Sequence, residues 1–410
     1  MTRSAVDRSG PPPVDIRLGA LYAAYFAAAG ILAPYLPLYF EERGLSAWQI
    51  GVVLAMAQAM RMAGPTLWGW LADRSAHDPR RAGHRIAILR WTAVAACVAF
   101  SAILLPGGFG WVFAVMFLTH LFLTAQMPIA EAVSAAYLRT GSNAPHAARL
   151  YGRLRACGSV GFIVLVLAAG PLFDAVGIGW TPAVVIALLA LCAAATFGVR
   201  DYAAVEAPQA RVSVRRRLAE PRVRWFFASA ALMVCAHGAL YTYLSLYLAQ
   251  LGYSKTAIGV FWVIGVVVEI GFFYTQGRFF KRFGAFTLLS AAFVLAAIRF
   301  GLIAQFAHVV VLLVIAQVLH AATFAVHHSA SILTVQQWFT GAAAARGQAL
   351  YVSIGYGVGG TAGSLIAAWL WSAVSPSAAF MSSSVAALLG WWAVQRARAL
   401  DARAPQPALA

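Results

Sequence analysis

Polar residues divide this chain into twelve long apolar runs, starting near Leu18, Ala47, Ile86, Trp111, Ala156, Trp180, Trp225, Ala257, Ala285, Val309, Gly347 and Ala378. Each can supply the ~20 apolar residues that a membrane-spanning helix needs. The pattern therefore predicts an all-α integral membrane protein with twelve transmembrane helices. The longest polar interruption, residues 200–224, follows the sixth run. It separates an N-terminal tail (1–17) and a six-helix bundle (18–199) from a second six-helix bundle (225–395) and a C-terminal tail (396–410). The two halves repeat at an offset of 208 residues: Leu45-Ser-Ala-Trp-Gln-Ile-Gly51 falls on Tyr253-Ser-Lys-Thr-Ala-Ile-Gly259, Gly69 on Gly277, and Arg74 on Arg282. The same offset places Arg61 on Glu269, a base in one half and an acid in the other. Duplicated halves with a polar site between them suit transport by alternating access.

Composition excludes a soluble domain, because 62% of the residues are hydrophobic and only 10% are charged, too few to cover a surface. The net charge of +17 would suit nucleic acid, but the placement of the bases argues against that partner. Arginines crowd the tails and alternate loops, as at Arg80, Arg81 and Arg215 to Arg217, whereas the opposite loops hold only Arg43 and Lys255. By the positive-inside rule both termini are expected in the cytoplasm, with the chain in the inner (plasma) membrane. The basic excess then meets anionic lipid. The polar first seventeen residues, with Pro11, Pro12 and Pro13, carry no expected cleavable signal. Cys97, Cys157, Cys192 and Cys235 are scattered without disulfide or metal spacing, and no metal site is expected.

Ionisable residues inside the apolar runs bear most directly on function: Arg61, Arg90, Glu131, Arg155, Glu269 and Arg299. A charge at bilayer depth costs about 2.5–3.5 kcal/mol even on the mildest scale, so it faces a partner or a water-filled cavity. Glu131 and Arg155 each lie twelve residues from the turn near Asn143, and Glu269 and Arg299 each lie fifteen from the turn at Gly284. In an antiparallel hairpin those spacings set each pair at equal depth. His320, on the next span, falls about 8 Å from the depth of Arg299. Arg90 sits close to a helix end and is expected to snorkel. His120, His237, His327 and His328 read as hydrogen-bonded packing residues. His327 and His328 point roughly 100° apart on a helix, which does not suit a shared metal. Tyr35, Tyr241, Tyr243 and Tyr247 on the first and seventh runs are expected to line a cavity that accepts an aromatic ligand, although tyrosine also marks membrane interfaces. Gly355, Gly359 and Gly363 allow close helix contact.

The loop Gly69-Trp-Leu-Ala-Asp73-Arg74, followed by Arg80 and Arg81, resembles the signature of the major facilitator superfamily. That likeness implies a cytoplasmic gate at Asp73 and Arg74. Pro128-Ile-Ala-Glu131, Tyr151-Gly-Arg153-Leu-Arg155-Ala-Cys-Gly158, Val267-Val-Glu269, Ala297-Ile-Arg299 and Gln317-Val-Leu-His320-Ala-Ala-Thr323 narrow the resemblance. They look like the phenylpropionate permease family and, more distantly, the lactose permease type of proton symporter. The likeness implies that Glu131 and Arg155 hold substrate, and that Glu269, Arg299 and His320 couple it to a proton. Two positions depart from the lactose permease pattern. Thr323 stands where that type has its proton-carrying acid, and Phe162 stands where a tryptophan stacks on the sugar. Glu269 is then the expected proton carrier. Phe162, with Arg61, joins the expected substrate site.

The implied activity is proton-coupled uptake of a small organic solute, an aromatic carboxylate such as 3-phenylpropionate, by a monomer with no cofactor beyond the proton. Nucleoside or sugar symport, drug efflux and a non-transporting receptor remain as alternatives. An enzyme is not expected, since no nucleophile–base or metal-ligand spacing is present.

Overall fold

A computed structural model describes residues 14–73, 84–202 and 214–403. Twelve of its helices are long and apolar enough to cross a membrane: α1 (Ile16–Glu42), α2 (Ala47–Asp73), α3 (His84–Leu104), α4 (Phe109–Leu138), α5 (Arg149–Val176) and α6 (Ile178–Gly198) in the first half. The second half holds α7 (Pro221–Gln250), α8 (Lys255–Arg282), α9 (Ala285–Phe306), α10 (Val310–Trp338), α11 (Arg346–Ala373) and α12 (Pro376–Asp401). A short helix, Arg215–Ala219, precedes α7.

The sequence repeat becomes a repeated turn. Gly44 ends the α1 turn at φ +85° and Gly252 ends the α7 turn at φ +86°, a left-handed conformation that glycine adopts without a Cβ clash. In each turn the next residue's N–H reaches back to the helix, Leu45 to the Phe40 carbonyl and Tyr253 to the Leu248 carbonyl, both at 3.0 Å. A serine then starts the following helix. Ser46 accepts from the Gln49 N–H while the Gln49 side chain accepts from the Ser46 N–H, a reciprocal cap. Ser254 accepts from the Ala257 N–H at 3.1 Å.

Packing repeats too. α1 rests on α5 and α6 as α7 rests on α11 and α12; α2 meets α4 as α8 meets α10; α3 packs on α4 and α6 as α9 packs on α10 and α12. The halves join along two seams of the same kind, α2 with α11 and α5 with α8. The glycine stripe of α11 lies on the α7 backbone. A Cβ on Gly359 or Gly363 would come within 2.2 Å of the Ala231 or Cys235 carbonyl oxygen, so close contact requires glycine there.

At the end away from the chain termini the seams are tied reciprocally. The Tyr35 hydroxyl on α1 shares its one hydrogen between the Val166 carbonyl at 2.9 Å and, across the seam, the Lys255 carbonyl at 3.3 Å, and the Tyr243 hydroxyl on α7 donates to the Ala47 carbonyl at 2.6 Å. Each tyrosine lies against the repeat glycine of the other half. A Cβ on Gly259 would meet the Tyr35 oxygen at 2.3 Å, and one on Gly51 would meet the Tyr243 oxygen at 2.3 Å. Asp174 on α5 adds a further tie, accepting from the Lys255 and Thr256 N–H groups at 2.8 and 2.9 Å at the start of α8.

Candidate functional site

The interior charges gather between the halves. α4 and α5 bring Glu131 and Arg155 together, with Arg155 Nη1 3.4 Å from Glu131 Oε1. Both are solvent-reached, at 34% and 47% exposure, although both lie well inside their spans. On the stretch of α5 leading to Arg155, Arg149, Tyr151, Gly152 and Arg153 are exposed as well. Tyr22 and Tyr151 face the Glu131 carboxylate, and the Phe26 ring lies under Arg155 at 5.2 Å.

Arg61 on α2 is exposed to the same space. Its charge reaches Tyr25 and His120 in its own half and Tyr241 and Tyr356 in the other. Tyr241 stacks on His237 with ring centres 5.8 Å apart and lies 6.3 Å from Trp262, while the charges of Glu269, Arg299 and Arg61 all act on it. It stands in the middle of the charged set, in the wall of a small pocket shared with His237, Thr323 and Tyr356.

Tyr35 does not. It is fully buried in the seam described above, donates to the Val166 carbonyl at 2.9 Å, and meets Phe173 edge-on. The reason lies in the kink after Leu32, which turns the tyrosine from the cavity toward α5 and α8. Phe162 is half-buried in the first-half core, and its carbonyl oxygen would lie 3.0 Å from a Cβ on Gly30. Asp73 closes α2, while Arg74 lies outside the described residues, so the gate position falls at that boundary.

Equal depth does not make Glu269 and Arg299 a pair. Glu269 Oε2 lies 3.8 Å from His320 Nε2 and feels the charge of Arg155 across the α5–α8 seam. Arg299 is 1% exposed and points into the second half. Its Nε donates to the Ala316 carbonyl at 2.8 Å and its Nη1 to Thr323 Oγ1 at 3.0 Å. His237 Nε2 is 3.4 Å from the same Nη1. Depth along an antiparallel pair says nothing of the angle around each helix, and α9 turns Arg299 toward α7 and α10 rather than α8.

His237 belongs to this network, buried and hydrogen-bonded. Its Nδ1 lies 2.9 Å from the Met233 carbonyl, which can only accept, so Nδ1 carries the hydrogen and Nε2 presents a lone pair to Arg299 and Thr323. Thr323 Oγ1 accepts from Arg299, and its one hydrogen is shared between the His237 Nε2 lone pair at 3.3 Å and the His320 carbonyl at 3.2 Å. A threonine at the acid position thus leaves Arg299 with neutral acceptors only, among the described residues. The network lies at a π-helical stretch of α10, Ala322–Val326, and Tyr356 lies in another on α11, Val352–Gly359. Such stretches occur often at functional sites. No sequence signal marked His237, since a histidine's partners sixty or more residues away depend on helix packing.

Chemically, the cavity offers an exposed carboxylate–guanidinium pair, a free-facing arginine, and a carboxyl beside a histidine. Arg61 and Arg155 are the exposed cations of this set, and Arg61 has no carboxylate partner among the described residues, while Arg299 is buried on neutral acceptors.

The model of the MFS_1 like family matches residues 15–382. A curated relative, the "Probable 3-phenylpropionic acid transporter" of Escherichia coli (strain K12), is 28% identical over 345 residues, covering 82% of this chain and 86% of that protein. The "Maltose permease" of Geobacillus stearothermophilus is 27% identical over 281 residues, 68% of each. Among solved structures, the nucleoside transporter NupG superposes at a TM-score of 0.76 with 16% identity, over 94% of this chain and 98% of that one. A bacterial homologue of the human lysosomal transporter Spinster, in an inward-facing and unoccupied conformation, superposes at 0.71 with 14% identity, over 96% and 98%. These likenesses establish the fold, and the family match spans nearly the whole chain. The chain belongs to the MFS_1 like family: it is a multi-pass membrane transporter of the major facilitator type, not an enzyme.

Proposed function

We propose that the protein is a proton-coupled symporter that imports a small aromatic carboxylate. The observation that carries this reading is Arg61, exposed beside the tyrosine-rich interior with no carboxylate partner among the described residues. A monocarboxylate can pair with that guanidinium, and Tyr25, Tyr151, Tyr241 and Tyr356 give a ring both apolar surface and hydroxyl partners. The relative named as a probable 3-phenylpropionic acid transporter supports the same class.

Charge bookkeeping in the low-dielectric interior then links the proton to the anion. A proton on Glu269 removes one negative charge, and a bound carboxylate restores it. Each therefore strengthens binding of the other by the same free energy. The loaded and the empty carrier have the same net charge, so a 1:1 symport is electroneutral. His320 is the group beside Glu269 that can receive or return the proton. Opening at the tied end requires the Tyr35 and Tyr243 ties to break. The arginine-rich ends support an orientation with both termini in the cytoplasm and the chain in the inner membrane.

One further reading has its own observation. The exposed Glu131–Arg155 pair can hold sugar hydroxyls, and a maltose permease is among the relatives. Proteoliposomes with an imposed pH gradient separate the two. Labelled 3-phenylpropionate should accumulate with the gradient, should not respond to a potassium-diffusion potential, and should compete with benzoate-like acids but not with maltose or uridine. Accumulation of maltose or uridine in place of the acid would end the carboxylate reading.

A further inference from the structure

Away from the central cavity, the first half has a basic hollow at the end that carries the termini. It is a wide-mouthed depression of about 540 Å³ between the starts of α1 and α3 and the end of α6, with Arg17, Arg90 and Arg200 on its walls. Arg90 closes the end of α6. Its Nε and Nη2 donate to the Thr196, Phe197 and Val199 carbonyls at 3.3–3.4 Å, and its guanidinium lies 5.4 Å from the Phe197 ring centre. The carbonyls that would repel an anion at a helix C-terminus are therefore already covered by a cation.

The acids nearby are engaged elsewhere. Asp201, on the wall of the hollow, pairs with Arg85 at 2.5 Å, and Asp15 accepts from the Tyr202 hydroxyl and the Arg17 N–H. Arg17 and Arg200 are exposed and have no carboxylate partner among the described residues. Gly198 lies beside the Arg17 stem, where an added Cβ would make only ordinary contact at 3.8 Å. From the hollow an apolar, exposed strip runs toward the bilayer centre, with Phe197 and Leu191 on α6 and Trp91 and Val98 on α3. A positively charged concavity at a membrane surface, continuous with a lipid-facing apolar strip, matches a molecule with a phosphate head and acyl chains.

The corresponding place in the second half lacks this chemistry. The 208-residue offset carries Arg17 to Trp225 and Arg90 to Ile298. Trp225 meets Trp392 edge-on at 4.9 Å, and Arg222 is held by Glu220 and Asp401 at 2.8 and 2.7 Å. Among the described residues, the offset positions of Arg17 and Arg90 thus carry no arginine in the second half.

We propose that the hollow lined by Arg17, Arg90 and Arg200 binds the head group of an anionic phospholipid, with the acyl chains lying along α3 and α6. The test uses the purified full-length protein, delipidated, and native mass spectrometry with thermal unfolding. Probes are phosphatidylglycerol, cardiolipin, phosphatidylcholine and inorganic phosphate. Anionic lipids should give retained adducts and a higher midpoint, and phosphatidylcholine should not. The doubly substituted Arg17→Ala, Arg200→Ala protein should bind them more weakly by about fivefold for each arginine lost, the factor expected when a basic residue near the surface contributes about 1 kcal/mol. The Lys pair, Arg17→Lys with Arg200→Lys, should keep most of the affinity. Should the alanine pair fail to fold, Gly198→Trp fills the hollow without removing charge and should weaken binding equally. Equal retention of phosphatidylcholine, anionic-lipid affinity unchanged in the variants, or protection by inorganic phosphate alone would each overturn the lipid assignment.

Discussion

The two halves of this transporter share a backbone plan and differ in chemistry. Gly44 and Gly252 turn the chain in the same left-handed conformation, and Tyr35 and Tyr243 reach across to the Lys255 and Ala47 carbonyls. Gly51 and Gly259 make room for those tyrosines. All of these positions obey one offset. At the same offset Arg61 faces Glu269, Arg90 faces Ile298, and Arg299 faces Trp91. Where the repeat is kept, residues build the turns and the ties between the halves. Where it is broken, they carry charge. Matched ties across two seams need the same residue types in both halves, whereas an interior ion pair needs opposite charges, one set and not two.

Substitutions can probe this division. The largest effect is expected at Glu269, on the diverged side. Glu269→Gln imitates the protonated acid permanently, so gradient-driven accumulation of 3-phenylpropionate should fall to the equilibrium level. Counterflow exchange, which needs no net proton turnover, should persist. Continued proton-coupled accumulation would move the carrier to Glu131 or His320.

A smaller loss is expected at Arg155. Lysine keeps the charge but not the planar fork that can meet a carboxylate with two bonds, so Arg155→Lys should weaken substrate binding by about tenfold, about 1.4 kcal/mol. Calorimetric affinity equal to that of the parent protein would make the Glu131–Arg155 pair a structural feature.

The smallest effects belong to the shared side, and there the comparison is sharpest. Tyr35→Phe and Tyr243→Phe each remove a hydrogen bond across a seam, a net contribution of about 1 kcal/mol. Each should shift the equilibrium toward opening at the tied end by about fivefold. Spin labels at the exposed positions Glu42 and Leu251 would report the separation of the two turns. Matched shifts from the two substitutions support functional equivalence of the halves. A shift from Tyr35 alone would show that the additional Asp174 tie, present on one seam only, sets which seam opens first.

Much of this was legible beforehand because membranes restrict the alternatives. Apolar length alone specifies the twelve spans, since any unpaired backbone group in lipid is too costly to leave outside a helix. The repeat was visible because its turns require particular residue types, a glycine at positive φ followed by a capping serine. Counting residues from a turn placed Glu131 and Arg155 together, and they do meet at 3.4 Å. The same count failed for Glu269 and Arg299, because depth and azimuth are independent coordinates. Tyr35 was misplaced for a related reason, a kink within α1 that rotates the helix beyond Leu32.

Local rules of lipid solvation and turn chemistry thus determined, from the sequence alone, the number of helices, the duplicated plan, and the identity of the charges that must find shelter. Which shelter each charge found was decided by tertiary structure. Arg299 settled on a threonine, a histidine and a carbonyl, and Glu269 beside His320, because rotation of each helix about its axis is set by packing against its neighbours. Those neighbours are scores of residues away in the chain, and no local pattern encodes their angle.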